Sequence, residues 1–139
     1  MDAATDTKPA AVPVKGGLVA YLTLDGALAA ADFYARAFGA ETVASYPPDD
    51  KGRTMHVHLH VNGSSLMLSD AYPEHGCPYE PTQGVAMTLM VEDISAWWER
   101  ALAAGATPLM PPTRMFWGDT YARLKDPCGV TWAMNQGAH

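Results

Sequence analysis

The sequence predicts an α+β fold made of two copies of one β-α-β-β-β unit. An internal repeat is the first observation behind this. Residue n laid over residue n+66 sets Val19-Ala20 on Val85-Ala86 and Gly39-Ala40 on Gly105-Ala106; Ala30, Ala35 and Ala37 fall on Ala96, Ala101 and Ala103. Thr54 meets Thr120 and Gly63 meets Gly129, all without a gap. The glycines weigh most, because each stands where a helix stops or a hairpin turns. The second observation is the switch in each half from period-2 alternation to one helical stripe and back. The third is size: 139 residues with 48% hydrophobic content suffice for one core.

The elements follow in order. Residues 18–24 alternate, with Leu18, Ala20, Leu22 and Leu24 on one face and Val19, Tyr21 and Thr23 on the other. Asp25-Gly26 breaks the strand, and Asp25 is placed to cap the next helix. Over residues 27–38, Ala30, Phe33, Tyr34, Ala37 and Phe38 make one stripe, and Gly39 ends it. A second strand runs to about residue 46, and Pro47-Pro48-Asp49-Asp50 is a loop. Residues 53–61 form a strand, Asn62-Gly63 a primed hairpin turn, and residues 64–69 the returning strand.

The second half repeats this order. Residues 85–91 are a strand, Asp93 caps, and residues 94–104 form a helix with Ile94, Trp97, Trp98, Ala101 and Leu102 inward, stopped by Gly105. A strand spans residues 107–110, Pro111-Pro112 is read as a loop, and another strand covers residues 120–125. Asp126-Pro127-Cys128-Gly129 suits a type I turn. Residues 130–134 close the unit. The units are thus expected at residues 17–69 and 85–135 of a single domain, with a proline-bearing linker at 70–84 and a disordered tail at 1–16.

Composition excludes several functions. A net charge of −6 argues against nucleic acid and against anionic membranes as partners. No run approaches the ~20 apolar residues of a membrane span, and the tail lacks the layout of a signal peptide, so a cytoplasmic protein is expected. Cys77 and Cys128 have neither CxxC nor zinc-type spacing and read as free thiols.

The strings AYLTLDG…AADFYARAFGAE, MHVHLHVNGSSLMLSDA and MFWGDTYARLKDPCGVTW resemble the PhnB-like branch of the vicinal oxygen chelate superfamily. That superfamily holds glyoxalase I, extradiol dioxygenases, fosfomycin-resistance enzymes and bleomycin-binding proteins. The resemblance covers residues 17–135. It implies an eight-stranded, cup-like open barrel with helices outside and a ligand site on the concave face. It also implies a homodimer with shared crevices. In the metal enzymes of the superfamily the first and last strand of each unit supply four ligands, usually His, Glu or Gln. Here those positions carry Val19 or Ala20, Met67, Val85 or Ala86, and Ala133. Alkyl groups donate nothing to a divalent cation and a thioether alone cannot hold a hard one, so no metal cofactor is expected.

His56, His58 and His60 are the provocative cluster. At i, i+2 and i+4 of a strand they share a face, with Ser65, Met67 and Ser69 and with Tyr21 and Thr23 at the same parity, while Met55, Val57, Leu59 and Val61 face the other way. Three readings stay open. Two or three of these histidines hold a displaced divalent metal, with Glu74 or His75 of the linker as a further donor. Alternatively His56 binds a ligand or moves a proton as a catalytic acid or base. The remaining reading is a solvated polar strand face. Trp117, Asp119, Tyr121 and Arg123 form the second candidate group. An aromatic rim suits flat ligands, and Arg123 suits an anionic group or else pairs with Asp119 or Asp126. Tyr72, Cys77, Pro78 and Tyr79 of the linker either connect or cover the cup.

Two functional classes result. One is a metal-free protein that binds a small molecule through Tyr21, Thr23, His56, His58, Met67, Trp117, Asp119, Tyr121 and Arg123. The other is a lyase, isomerase or dioxygenase-type enzyme using the His56-His58-His60 strand with a metal, or His56 without one.

Overall fold

The computed structural model describes residues 12–138. Strands β1 (Ala20–Leu24), β2 (Glu41–Ser45), β3 (Val57–Val61) and β4 (Ser64–Asp70) form one four-stranded sheet with helix α1 (Ala27–Phe38). A short 3₁₀ turn (Pro73–His75) leads to β5 (Ala86–Val91), α2 (Ile94–Ala104), β6 (Thr107–Arg114), β7 (Thr120–Lys125) and β8 (Thr131–Gln136), and these strands make the second sheet. The orders β1-β4-β3-β2 and β5-β8-β7-β6 are the same permutation, so the duplication holds at the level of topology. In each sheet the outermost pair β1/β4 or β5/β8 is parallel, which forces the crossover helix between its strands. The α+β class and the two β-α-β-β-β units stand as expected; the sheets are two open four-stranded sheets, not one continuous eight-stranded wall.

Each sheet buries one face. Leu22, Leu24, Val57, Leu59, Leu66 and Leu68 lie under α1, and Leu89, Val91, Ala122, Leu124, Trp132 and Met134 do the same in the second unit. The two units share one core. Trp132 of β8 packs 4.9 Å from the Tyr34 ring and 4.4 Å from the Phe38 ring of α1. The Tyr34 hydroxyl donates to buried Asp126, which also accepts from Trp132 Nε1 and the Cys128 and Val130 amides. Burial and the Asp126 charge push the Tyr34 phenol far above its ordinary range, so it stays a donor.

Several expectations need correction. The gapless 66-residue overlay fails at the first strand and the start of the helix. Leu22 faces Leu68 as Leu89 faces Met134, an offset of 67 against 66, because α2 has 11 residues and α1 has 12. Asp25 does not cap α1. The N-cap place falls to Gly26, which has no side chain to offer, and Asp70 Oδ1 accepts from the Gly26 and Ala27 amides instead. At the matching place in the second unit Asp93 caps as expected, accepting from Ala96 N–H. The strand expected from residue 53 starts at Val57, because Asp49 accepts from the Lys51 and Arg53 amides and knots the preceding turn. Met55 accordingly stands exposed rather than under the helix. Leu18, expected on the strand's buried face, is 97% exposed before β1 begins. Pro111 and Pro112 lie within β6, not in a loop. This edge strand bonds only to β7, and its register shifts at Pro108/Met110 and Met110/Thr113 absorb residues without an N–H. Trp97 and Trp98 are only half-buried against the core. Of the tail expected over residues 1–16, residues 1–11 lie outside the described residues, while Lys15 bonds in both directions to Ser65.

Candidate functional site

The face of each sheet turned away from its helix carries the chemistry. On the first sheet the register aligns Tyr21, Met67 and His58 in one row and Thr23 with Ser69 in the next. Tyr21 is 51% exposed, and its hydroxyl lies 3.0 Å from His56 Nδ1 and 3.4 Å from the Met55 carbonyl. Burial, with Tyr46 nearby, raises the Tyr21 phenol above its ordinary value, so it keeps its proton. The Tyr21 and Tyr46 rings flank His56, each centroid 5.8 Å away. The Tyr21–His56 pair can offer a hydrogen bond to a bound polar group.

The other two histidines are engaged elsewhere. His58 is only 3% exposed, with Nε2 2.7 Å from Ser65 Oγ, and that hydroxyl also accepts from Lys15 N–H at 2.8 Å. Burial first, then the neighbouring His60 and His56, lowers its basicity. His60 Nε2 donates to the Pro13 carbonyl at 2.9 Å. Among the described residues no group of three or more His, Cys, Asp and Glu side chains is placed to hold a metal ion. Glu74 turns away from the histidines, to Arg53. The two make a bidentate pair at 2.7 and 3.1 Å, and the Arg53 guanidinium holds the Glu74 carboxyl at about 2.

The linker takes part in the site. Pro78, Glu80, Pro81 and Gln83 line a cavity of about 580 Å³ with Tyr21, Thr23 of β1 and Met87 of β5. That volume is in the range of drug-sized ligands. Tyr72 is buried beneath the Arg53 guanidinium, 4.3 Å from its ring, and bridges to Cys77; it covers no cavity over the β1 face. A second depression of about 450 Å³ opens among Tyr46, Met55, Arg53, Tyr72 and His75, beside the His56 dyad. Sequence reasoning missed Tyr46 and Glu80 as site-lining groups. A loop of prolines with one acid and one tyrosine carries no periodicity that would single them out.

The open face of the second sheet has the rows Ala86–Thr131–Lys125–Thr107, Thr88–Ala133–Arg123–Met110 and Met90–Asn135–Tyr121–Thr113. Arg123 Nη1 donates to the Tyr121 hydroxyl at 3.4 Å. Asp119 accepts from Asn135 Nδ2 at 2.9 Å and from Ala138 N–H at 3.2 Å, which ties the β6–β7 turn to the C-terminal residues. On that turn Phe116 and Trp117 pack edge to face, with Phe116 97% exposed. The nine residues singled out from the sequence therefore fall into two groups: Tyr21, Thr23, His58 and Met67 on the first sheet with His56 just before β3, and Tyr121 and Arg123 on the second sheet with Trp117 and Asp119 on the β6–β7 turn.

Residues 21–134 match the family model of the Glyoxalase/Bleomycin resistance protein/Dioxygenase superfamily. The chain belongs to this superfamily. It is 36% identical over 132 residues to the uncharacterized protein Mb0911c of Mycobacterium bovis, covering 91% of this chain and 86% of the relative. The PhnB protein of Bacillus cereus shares the fold at a TM-score of 0.67 and 22% identity, covering 88% of this chain and 100% of that one. TnmS3 of Streptomyces sp. CB03234, an antibiotic binding protein, does so at a TM-score of 0.67 and 24% identity, covering 94% of this chain and 100% of its own. Among the described residues no helix is long and apolar enough to cross a membrane.

Proposed function

We propose that this superfamily member is a small-molecule-binding protein that works without the superfamily's metal. The observation carrying the reading is the open face of the first sheet, where the Tyr21–His56 pair stands beside an open cavity of about 580 Å³ bordered by the linker. Tyr21, Leu22, Val85, Met87 and two prolines give the cavity apolar wall, and Thr23, Glu80, Thr82 and Gln83 give it polar groups that would orient a ligand. The fold shared with an antibiotic binding protein supports the same class. The positions that supply metal ligands in related enzymes carry Val19 or Ala20, Met67, Val85 or Ala86, and Ala133, and none of these fits a hard divalent cation. The engagement of His58 by Ser65 and of His60 by Pro13 weighs against the displaced metal strand as well.

The working form is a homodimer in the cytoplasm. Tyr21 and Met90 stand exposed on the open faces, and Val85, Leu109, Phe116 and Trp117 are exposed near them, which supports coverage of these faces by a second copy. Pairing the first sheet of one copy with the second sheet of the other would unite the two groups of site residues. A second reading, a metal-free enzyme with His56 as acid or base, draws on the Tyr21–His56 hydrogen bond.

Sedimentation velocity, elemental analysis and a thermal-shift screen of small molecules test the proposal together. A dimer without stoichiometric metal whose melting temperature rises with a bound compound is the expected result. Stoichiometric zinc, iron or manganese lost on His56→Ala would overturn it. A compound that is turned over by the wild type but only bound by His56→Ala would move the assignment to the enzyme.

A further inference from the structure

We infer that the ligand carries an anionic group, a carboxylate or a phosphate, and that Arg123 receives it on the open face of the second sheet. The inference deepens the small-molecule-binding reading and rests on it. Ala122 and Leu124 are fully buried on either side of Arg123, so its side chain is committed to the open face. There it is half-buried, and among the described residues its side chain makes one hydrogen bond, the long contact to Tyr121. Both structural partners that the sequence offered are otherwise occupied. Asp126 is buried among Tyr34, Trp132 and two amides, and Asp119 accepts from Asn135 and Ala138. Among the described residues no carboxylate lies within 4.0 Å of the Arg123 guanidinium.

Lys125 stands one row away from Arg123 and the register places no acidic residue on this face; the Asp119 carboxylate that reaches it is held by Asn135 and Ala138. The planar fork of a guanidinium fits carboxylate and phosphate oxygens in pairs. The exposed Phe116–Trp117 pair lies on the turn that starts β7, so a molecule with its anion at Arg123 could lay an apolar, flat portion toward that turn.

Two fluorescent probes isolate the anion: 8-anilinonaphthalene-1-sulfonate and the uncharged N-phenyl-1-naphthylamine, which share an arylamine core and differ in the sulfonate. The sulfonate stands in for the carboxylate or phosphate, and competition by benzoate, phenyl phosphate and benzyl alcohol separates the two anions from a neutral ring. Wild type should bind the sulfonate about tenfold tighter than the neutral probe, and Arg123→Met should erase that factor while leaving the neutral probe unchanged. Lys51→Gln, which removes an exposed loop charge, should alter neither. Equal binding of both probes, or full retention in Arg123→Met, overturns the anion and leaves the binding reading standing. Binding of neither probe overturns both. An Arg123→Met protein that loses its dimeric mass while keeping its probe preference shows a guanidinium facing the partner copy, and that too overturns the inference.

Discussion

Asp70 and Gln136 hold the same place in the two units, each at the end of its last strand and each closing the N-terminus of its unit's helix. Asp70 Oδ1 accepts from the Gly26 and Ala27 amides at 2.7 and 2.8 Å, and Oδ2 from the Thr54 amide at 2.8 Å; among the described residues Gln136 Oε1 accepts from the Ile94 amide alone, at 2.9 Å. The difference follows from the cap position. Asp93 serves α2 itself, whereas Gly26 cannot serve α1, so the carboxylate across the sheet takes over beside the positive end of the helix.

Asp70→Ala should therefore cost about 3 kcal/mol, because three buried or half-buried donors lose their acceptor, and Gln136→Ala about 1 kcal/mol. Urea denaturation of both variants reads the difference directly. Equal losses would mean that the two ends are not capped as described.

Tyr34→Phe should destabilise by about 1–3 kcal/mol although the ring stack on Trp132 survives, since the loss is the hydrogen bond to Asp126. This bond joins α1 to the turn of the second unit. The variant should unfold in one transition at lower urea; an unchanged midpoint would show that the phenol adds nothing to the union of the units.

His58 links stability to pH. Its folded pKa lies below the ordinary value of about 6.5, so the unfolded chain binds the proton more readily. The contribution is present above about pH 6.5 and is lost as pH falls through the lowered folded value. The urea midpoint should drop between pH 8 and pH 5, and His58→Asn should flatten part of that drop. A variant with the wild-type slope would assign the dependence to other groups.

The two thiols should differ in reactivity. Burial, then Asp126, pushes Cys128 up to about 11, whereas Cys77 is exposed on the linker. One equivalent of iodoacetamide at pH 8 should label Cys77, as mass spectrometry of the digest would show. Preferential labelling of Cys128 would contradict its half-buried place against the core.

Much of the fold was legible because it rests on local signals. Gly39 and Gly105, both in the left-handed region, stop the helices where the pattern places them, and Asn62-Gly63 turns β3 into β4 with both residues at positive φ. The shared face of Tyr21, Met67 and His58 also followed from parity alone. What stayed hidden depends on contacts distant in sequence. Nothing near Ser65 or Pro13 announces that they occupy His58 and His60, and nothing at Arg53 announces its pairing with Glu74 across 21 positions. The prolines of β6 misled for a related reason. Proline breaks a central strand, but an edge strand needs hydrogen bonds on one side only.

That edge has a consequence for assembly. Pro108, Pro111 and Pro112 leave three of the eight positions of β6 with no amide hydrogen to offer a foreign strand. The outer border of the second sheet is thereby blunted as a template for chain-to-chain strand addition, the route by which exposed edges seed aggregates. A chain approaching this border finds amide hydrogens at only five of its eight positions, so the ladder it could build there is interrupted.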